Sequence, residues 1–271
     1  MLGKLIKYEF KHTAKTMFMT YGVLAVFTLM ASVALYRMDR GLTSENTFAA
    51  VLSTTMLILY VIAIVAIYCV DFIYLIHHYH KTMYSAQGYL THTLPVSPAA
   101  SFGTKILVIS LWMLVSTVLS VFSVLALLQG GSGGEFFHAF SNIVWRDFSQ
   151  SSYEIFGISG GYFLSYSALI SVLNILLCVL WIAASMAVGQ LFRKNRTAYS
   201  ILAAFAFKMI SQIVSGAFMI ISGYDLFSLL DGEAASFMKT VLNGTLVITL
   251  IFLVLLYGIC IYINSRKLNL E

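Results

Sequence analysis

The chain has 271 residues; the types AVILMFWYC make up 60% of it, charged residues only 10%, and the formal net charge is +5. A soluble domain carries ~25% charged residues, and a globule so short of charge could not cover its own surface. The composition excludes a large soluble domain or a long disordered region and identifies an integral membrane protein. The basic residues sit at the ends of apolar segments, not along one groove, so they act as topology signals and not as a nucleic-acid surface.

The N-terminus opens with two stripes at helical spacing. Leu2, Leu5, Ile6, Phe10 and Met17 form one; Lys4, Lys7, Lys11 and Lys15 form the other. This pattern predicts an amphipathic helix over residues 1–16, lying in the cytoplasmic interface with its lysines towards lipid phosphates. It is unlike a cleavable signal peptide, whose apolar core follows a few basic residues directly. Six apolar segments come next, at about 17–36, 48–76, 105–128, 162–191, 197–222 and 240–263. Crossing a bilayer takes ~20 apolar residues in a helix. The runs are too long for barrel strands and lack strict alternation. The expected fold is therefore all-α, with residues 17–271 forming one six-span transmembrane domain. No internal repeat or low-complexity tract interrupts it.

Lys4, Lys7, Lys11, Lys15, Lys81, Lys105, Arg193, Lys194, Arg196, Arg266 and Lys267 fall on one set of flanks. Arg37, Arg40, Arg146 and Lys239 fall on the other. The excess places both termini in the cytoplasm, in a multi-pass protein of the plasma membrane. Two external segments stand out. Gln129–Gly134 is glycine-rich and reads as a flexible hinge. Phe136, Phe137, Phe140, Trp145 and Phe148 after it suggest a small helix at the outer interface. Gly223–Lys239 is polar at Asp225, Asp231 and Glu233 but apolar at Leu226, Phe227, Leu229, Leu230 and Phe237, which suggests a short interfacial or re-entrant element.

Several chemistries lack their residues. There is no GxxxxGK[ST] phosphate loop and no HExxH motif. Cys69, Cys178 and Cys260 each lie inside an apolar run, which argues against a disulfide framework or zinc site. The cluster His77, His78, Tyr79, His80 is read as a polar extension of a helix at the cytoplasmic interface and not as a metal box. No metal or cofactor is expected on this chain. A membrane enzyme would need several titratable groups at one depth, and only Asp71 and Lys208 are present within the spans.

Between spans two and three lies the cytoplasmic connection 77–104, which holds both prolines, Pro95 and Pro98. Each proline pushes the preceding residue out of the helical region. A helix should therefore end near Thr93, an extended turn should follow, and a new helix should start near Ala99. Tyr79, Tyr84 and Tyr89 are expected to be exposed here, as an aromatic patch for a protein partner.

The pattern Tyr84-Ser85-Ala86-Gln87-Gly88-Tyr89-Leu90-Thr91-His92-Thr93-Leu94-Pro95-Val96-Ser97, followed by Lys105, resembles the cytoplasmic loop of ABC-2 type transporter permeases. The opening Met1-Leu2-Gly3-Lys4-Leu5-Ile6-Lys7-Tyr8-Glu9-Phe10-Lys11 is similar to the N-terminal elbow helix of the same family. The resemblance extends over the six-span layout. It implies a permease subunit of an ATP-driven bacterial exporter that binds no nucleotide itself. Two copies of a separate ATPase subunit would carry ATP and Mg, and a second permease chain, identical or homologous, would complete the transporter. Tyr84, Gln87, Gly88, Tyr89, Leu90, Leu94 and Pro95 would dock the ATPase. Gln87 departs from the family, where an acid often precedes the Gly-Tyr pair, so any pairing made by that acid must be weaker or different here. The resemblance also implies that spans two and five line the path and that re-entrant helices precede span six. The apolar path suits a hydrophobic or amphipathic substrate such as a peptide, drug or lipid. The alternative is a membrane sensor or assembly subunit that transports nothing.

Lys208 sits about eleven residues into span five, roughly 16 Å deep. Ser211, Gln212 and Ser215 share its helix face, and these four residues with Asp71 are the candidates for the translocation path. Two roles stay open: a residue of the translocation path meeting an acidic or polar substrate group, or a structural lysine paired with Asp71 of span two. The stripe Ser167, Ser171, Asn174, Cys178 in span four is read as helix packing.

Overall fold

The computed structural model describes residues 2–41, 47–85, 97–139, 145–156, 158–192, 194–222 and 234–266. These residues are helical apart from short turns. The long helices are α1 (Leu2–Asp39), α2 (Thr47–Tyr84) and α3 (Pro98–Gly131). Two short ones follow, α4 (Phe136–Ala139) and α5 (Trp145–Phe156), and then α6 (Gly160–Gly189), α7 (Arg196–Ile221) and α8 (Ala234–Arg266). Six of these helices are long and apolar enough to cross a membrane, each containing one of the six expected spans nearly whole. Their outer faces are apolar: Ile73 is 65% exposed, whereas Asp71, two residues away, is 0% exposed. That is the face arrangement of helices solvated by lipid, and the chain is a multi-pass membrane protein.

Most of the helices overrun the expected spans. α1 is 38 residues long, and no break near residue 16 separates an N-terminal helix from the first span. Ala, Leu, Lys and Met favour helix, and nothing between Leu2 and Asp39 interrupts it. Lys4, Lys7, Lys11 and Lys15 are exposed, as the stripe requires. The apolar stripe meets protein: Met17 is fully buried, and Phe10 stacks on Trp112 at 4.4 Å. α2 likewise runs through the histidine cluster to Tyr84, with His77 and His80 exposed and His78 buried. α3 starts at Pro98, close to the expected Ala99; proline suits the first turn because its missing N–H would be unbonded there anyway. The expected helix end near Thr93 lies outside the described residues.

The chain divides into two compact units, Gly3–His77 with Leu111–Arg146 and His78–Ser110 with Asp147–Glu271. In the first, α1 packs along α3 through small residues. Ala31 and Ala34 are buried, and an added Cβ on Gly130 would stand 2.9 Å from the Ser32 Cβ. Such contacts are how membrane helices approach closely. The same glycines correct the flexible hinge expected at Gln129–Gly134. Gly130 and Gly131 belong to α3, the Gln129 amide donates to the Gly134 carbonyl at 2.7 Å, and the Ser132 hydroxyl accepts from the Phe136 N–H at 2.9 Å. Packing and side-chain capping override the composition. The aromatic run beyond forms α4 and α5; Phe140 lies outside the described residues.

In the second unit, α6 packs along both α7 and α8. Its last turns present Ala183, Ala184, Ser185 and Ala187, all buried. The turn into α7 is tight: Asn195 adopts φ 58°, a left-handed conformation that asparagine tolerates, and Phe192 stacks on Tyr199 at 3.8 Å. Of the segment Gly223–Lys239, expected to be external, Ala234–Lys239 belong to α8 and the rest lies outside the described residues. The three cysteines are free.

Gly189 closes α6 against the start of α7. A Cβ there would stand 2.7 Å from the Arg196 carbonyl oxygen, a backbone atom that cannot swing aside. Gly189→Ala is expected to cost ~1–3 kcal/mol, read as a lower melting temperature in detergent. Gly216→Ala, which meets nothing within 4 Å, is the control and should not lower it.

Candidate functional site

Two polar arrangements lie within the spans, one in each unit. In the first unit Asp71 of α2 is wholly buried. Thr20 of α1 donates to its Oδ1 at 2.8 Å, and Ser116 of α3 donates to its Oδ2 at 2.8 Å. The Tyr21 hydroxyl pairs with Ser116 at 2.9 Å. Further along the same helices, Ser123 meets both Thr28 at 2.7 Å and Tyr60 at 2.8 Å. Towards the N-terminus the Trp112 Nε1–H donates to Thr13 at 2.7 Å. A hydroxyl can reach sideways while its own helix stays intact, so each contact ties two or three helices at one level. Both oxygens of Asp71 thus accept from hydroxyls. Within its own unit the carboxylate is buried and held by hydroxyls of α1 and α3.

The second arrangement is a cavity of about 390 Å³ where α6, α7 and α8 face one another. Lys208, Ser211, Gln212 and Ser215 all line it, as their shared face on α7 predicts. The structure brings Asn174, Cys178 and Trp181 of α6 to the same space, with Thr245 and Thr249 of α8. Asn174 and Cys178 were expected to serve packing; they face the cavity instead. Ser167 and Ser171 bond carbonyls of their own helix at 3.0 and 2.8 Å. Trp181 was not singled out in the sequence, although residues 174, 178 and 181 follow the i, i+4, i+7 spacing of one helix face.

Among the described residues, Lys208 is the one charged residue lining the cavity. It lies twelve residues after Arg196 and thirteen before Ile221, at the midpoint of α7. Its Nζ sits 4.9 Å from the centroid of the Trp181 ring. A charge at that depth costs at least ~2.5 kcal/mol, and a ring face returns ~0.5–2 kcal/mol. Within its own unit the ammonium is therefore only partly compensated.

The expected docking loop divides differently. Tyr79 and Tyr84 are buried, not exposed. Their hydroxyls meet at 3.3 Å, and Tyr84 donates to Asn264 Oδ1 of α8 at 3.4 Å. The two hydroxyls converge at the end of α2, where Asn264 of α8 meets Tyr84. Neither offers its ring to a partner. Gln87, Gly88, Tyr89, Leu90, Leu94 and Pro95 lie outside the described residues. Among the described residues, no group of three or more His, Cys, Asp or Glu side chains is placed to hold a metal. No protein-family model, curated protein or solved structure matches this chain.

Ser116 holds both the Asp71 carboxylate and the Tyr21 hydroxyl, so Ser116→Ala leaves a buried acceptor without its donor. The expected loss is ~1–3 kcal/mol. Ser120→Ala removes only a bond to the Ser116 carbonyl of the same helix and should stay within ~0.5 kcal/mol. Thermal unfolding of the two variants in the same detergent checks the contrast, and equal melting temperatures would contradict it.

Proposed function

We propose that this chain is the membrane permease subunit of an ABC-2 type exporter. The observation that carries the proposal is the segment Gly88-Tyr89-Leu90-Thr91…Leu94-Pro95-Val96-Ser97 between two long spanning helices, in a chain without a phosphate loop of its own. The N-terminal segment 1–16 is the cytoplasmic elbow, with its lysines at the lipid surface. Both termini face the cytoplasm, so the α2–α3 connection is presented to a cytoplasmic ATPase. Two ATPase subunits bind and hydrolyse ATP with Mg, and a second permease chain completes the membrane portion. Closure of the ATPases moves the Tyr89–Pro95 segment, and α2 and α3 carry that motion into the membrane. A continuous helix is a stiff lever, because bending it breaks several backbone hydrogen bonds together. The burial of Tyr84 supports a docking surface made of Gln87, Gly88, Tyr89, Leu90, Leu94 and Pro95, with Tyr84 anchoring the end of α2 from within. The α6–α8 cavity gives an amphipathic substrate a polar contact at mid-membrane.

The docking loop has a direct test. Tyr89→Asp with Leu90→Asp should release the co-expressed ATPase on purification while the permease keeps its melting temperature; interface aromatics contribute ≥2 kcal/mol each when they are hot spots. Undiminished co-purification would remove this loop as the docking site.

Orientation is tested separately. In a background lacking the native cysteines, Ser132→Cys should react with an impermeant maleimide in whole cells. Ser85→Cys and Asn195→Cys should react only after lysis. Labelling of Ser85→Cys from outside would reverse the topology.

A further inference from the structure

The geometry points to the α6–α8 cavity as a binding site for an amphiphile with one anionic head group, a carboxylate or a phosphate monoester on an acyl tail. Its meaning for transport rests on the permease reading; the binding itself does not.

Three observations converge on this ligand. Among the described residues, the cavity lining carries a single charge, the Lys208 ammonium, and no acid. Trp181 covers one side of that ammonium at 4.9 Å. A ring face attracts a cation through its quadrupole but takes no N–H hydrogen bond of ordinary strength, so the donors of the ammonium remain directed to whatever fills the space. A cationic ligand would be repelled, and a neutral one would leave the charge as it is. An anion adds the missing partner. The groups around Lys208 supply the rest of a head-group site: Asn174 from α6 and Gln212 from α7 both carry amide N–H donors. Phe218 and Phe252 offer apolar wall for a tail. At about 390 Å³, the space lies within the ~300–1,000 Å³ usual for small-molecule sites. It accommodates a head and part of a chain, the remainder running out along the apolar faces of α7 and α8. Val254 of α8 is 73% exposed and Ile213 of α7 is 64% exposed. A small hydrophilic anion would gain the charge contact but lose the burial of apolar surface that draws a ligand to this depth.

The test uses the full chain in phosphatidylcholine nanodiscs and a long-chain fatty acid bearing a diazirine, with its methyl ester as the uncharged probe. Photolabelled peptides are mapped by mass spectrometry. The acid is expected to label α6, α7 and α8 around the cavity, and the ester to label them at least ~fivefold less, the effect of one modest ion pair. Lys208→Met should reduce labelling by the acid to the level of the ester, and Lys208→Arg should restore it. The Arg variant separates loss of charge from loss of fold. Equal labelling by acid and ester, or full labelling of Lys208→Met, would overturn the assignment.

Competition then distinguishes the sources of the head group. Displacement by two-tailed phosphatidic acid in the disc identifies a resident bilayer lipid; displacement by one-tailed lysophosphatidic acid alone identifies a single-chain cargo. Either result supports the site. Displacement by neither, or by inorganic phosphate as effectively as by both, would overturn it. Failure of the ATPase to co-purify while the acid still labels the cavity would remove only the permease reading. Co-purification with no acid-dependent labelling would remove only this site.

Discussion

A hydrocarbon solvent cannot hydrogen-bond, so every polar group carried into it must find its partner within the protein. The first unit is organised by that constraint. Asp71 could not occupy a span on an isolated helix at small cost. With Thr20 on one oxygen and Ser116 on the other, the carboxylate ties α2 to α1 and α3 at one level. Ser123 does the same for α1 and α2 through Thr28 and Tyr60, and Thr13 with Trp112 ties α1 to α3. Membrane hydrogen bonds of this kind average ~0.6 kcal/mol and reach ~1.7 kcal/mol. Their value lies in register as well as in strength. A helix that slides by one turn breaks all of them together, and each break strands a polar group.

Small residues make those bonds possible. Hydroxyl side chains are short, so the helices carrying them must come close. Ala31 and Ala34 on α1 and Gly130 on α3 permit that approach. The second unit uses the same device without the acid, through the alanines at the end of α6 and through Gly189 at the turn. Its polar groups are arranged differently. Lys208, Ser211, Gln212 and Ser215 of α7 gather around a cavity, and no residue of α7 is buried. Lys208 stands among them with a ring face and, among the described residues, no acid in the lining of the cavity. Asp71 and Lys208 are therefore opposite cases. One is enclosed by hydroxyl donors; the other faces the space of a cavity.

The elongated helices have their own physical logic. A span needs ~20 residues, yet α1 and α2 have 38 each. At 1.5 Å per residue each measures ~57 Å, well beyond a ~30 Å hydrocarbon core. The surplus of α1 carries the four exposed lysines, and the surplus of α2 carries the histidine cluster and Tyr84. The helices thus carry the chain without a break from the membrane interior to well beyond the hydrocarbon core.

Much of this was legible in the sequence. Six apolar runs of spanning length, the absence of alternation and the charges at their flanks determined an all-helical membrane protein, because the bilayer leaves few other solutions. The face shared by Lys208, Ser211, Gln212 and Ser215 was visible as well, since helical periodicity alone places those residues together. What faces them was not. That Asn174, Cys178 and Trp181 line the same cavity depends on how α6 packs against α7 and α8, a contact to which Gly189 contributes by its close approach to the start of α7. The partner of Asp71 was equally hidden: a lysine in span five is the obvious candidate by charge, whereas hydroxyls of α1 and α3 reach it by packing. The exposure of Tyr79 and Tyr84 was misjudged for the same reason, since burial at the end of α2 depends on α8, some 180 residues further along the chain. Periodicity fixes which side chains share a face, and only tertiary packing decides what that face meets.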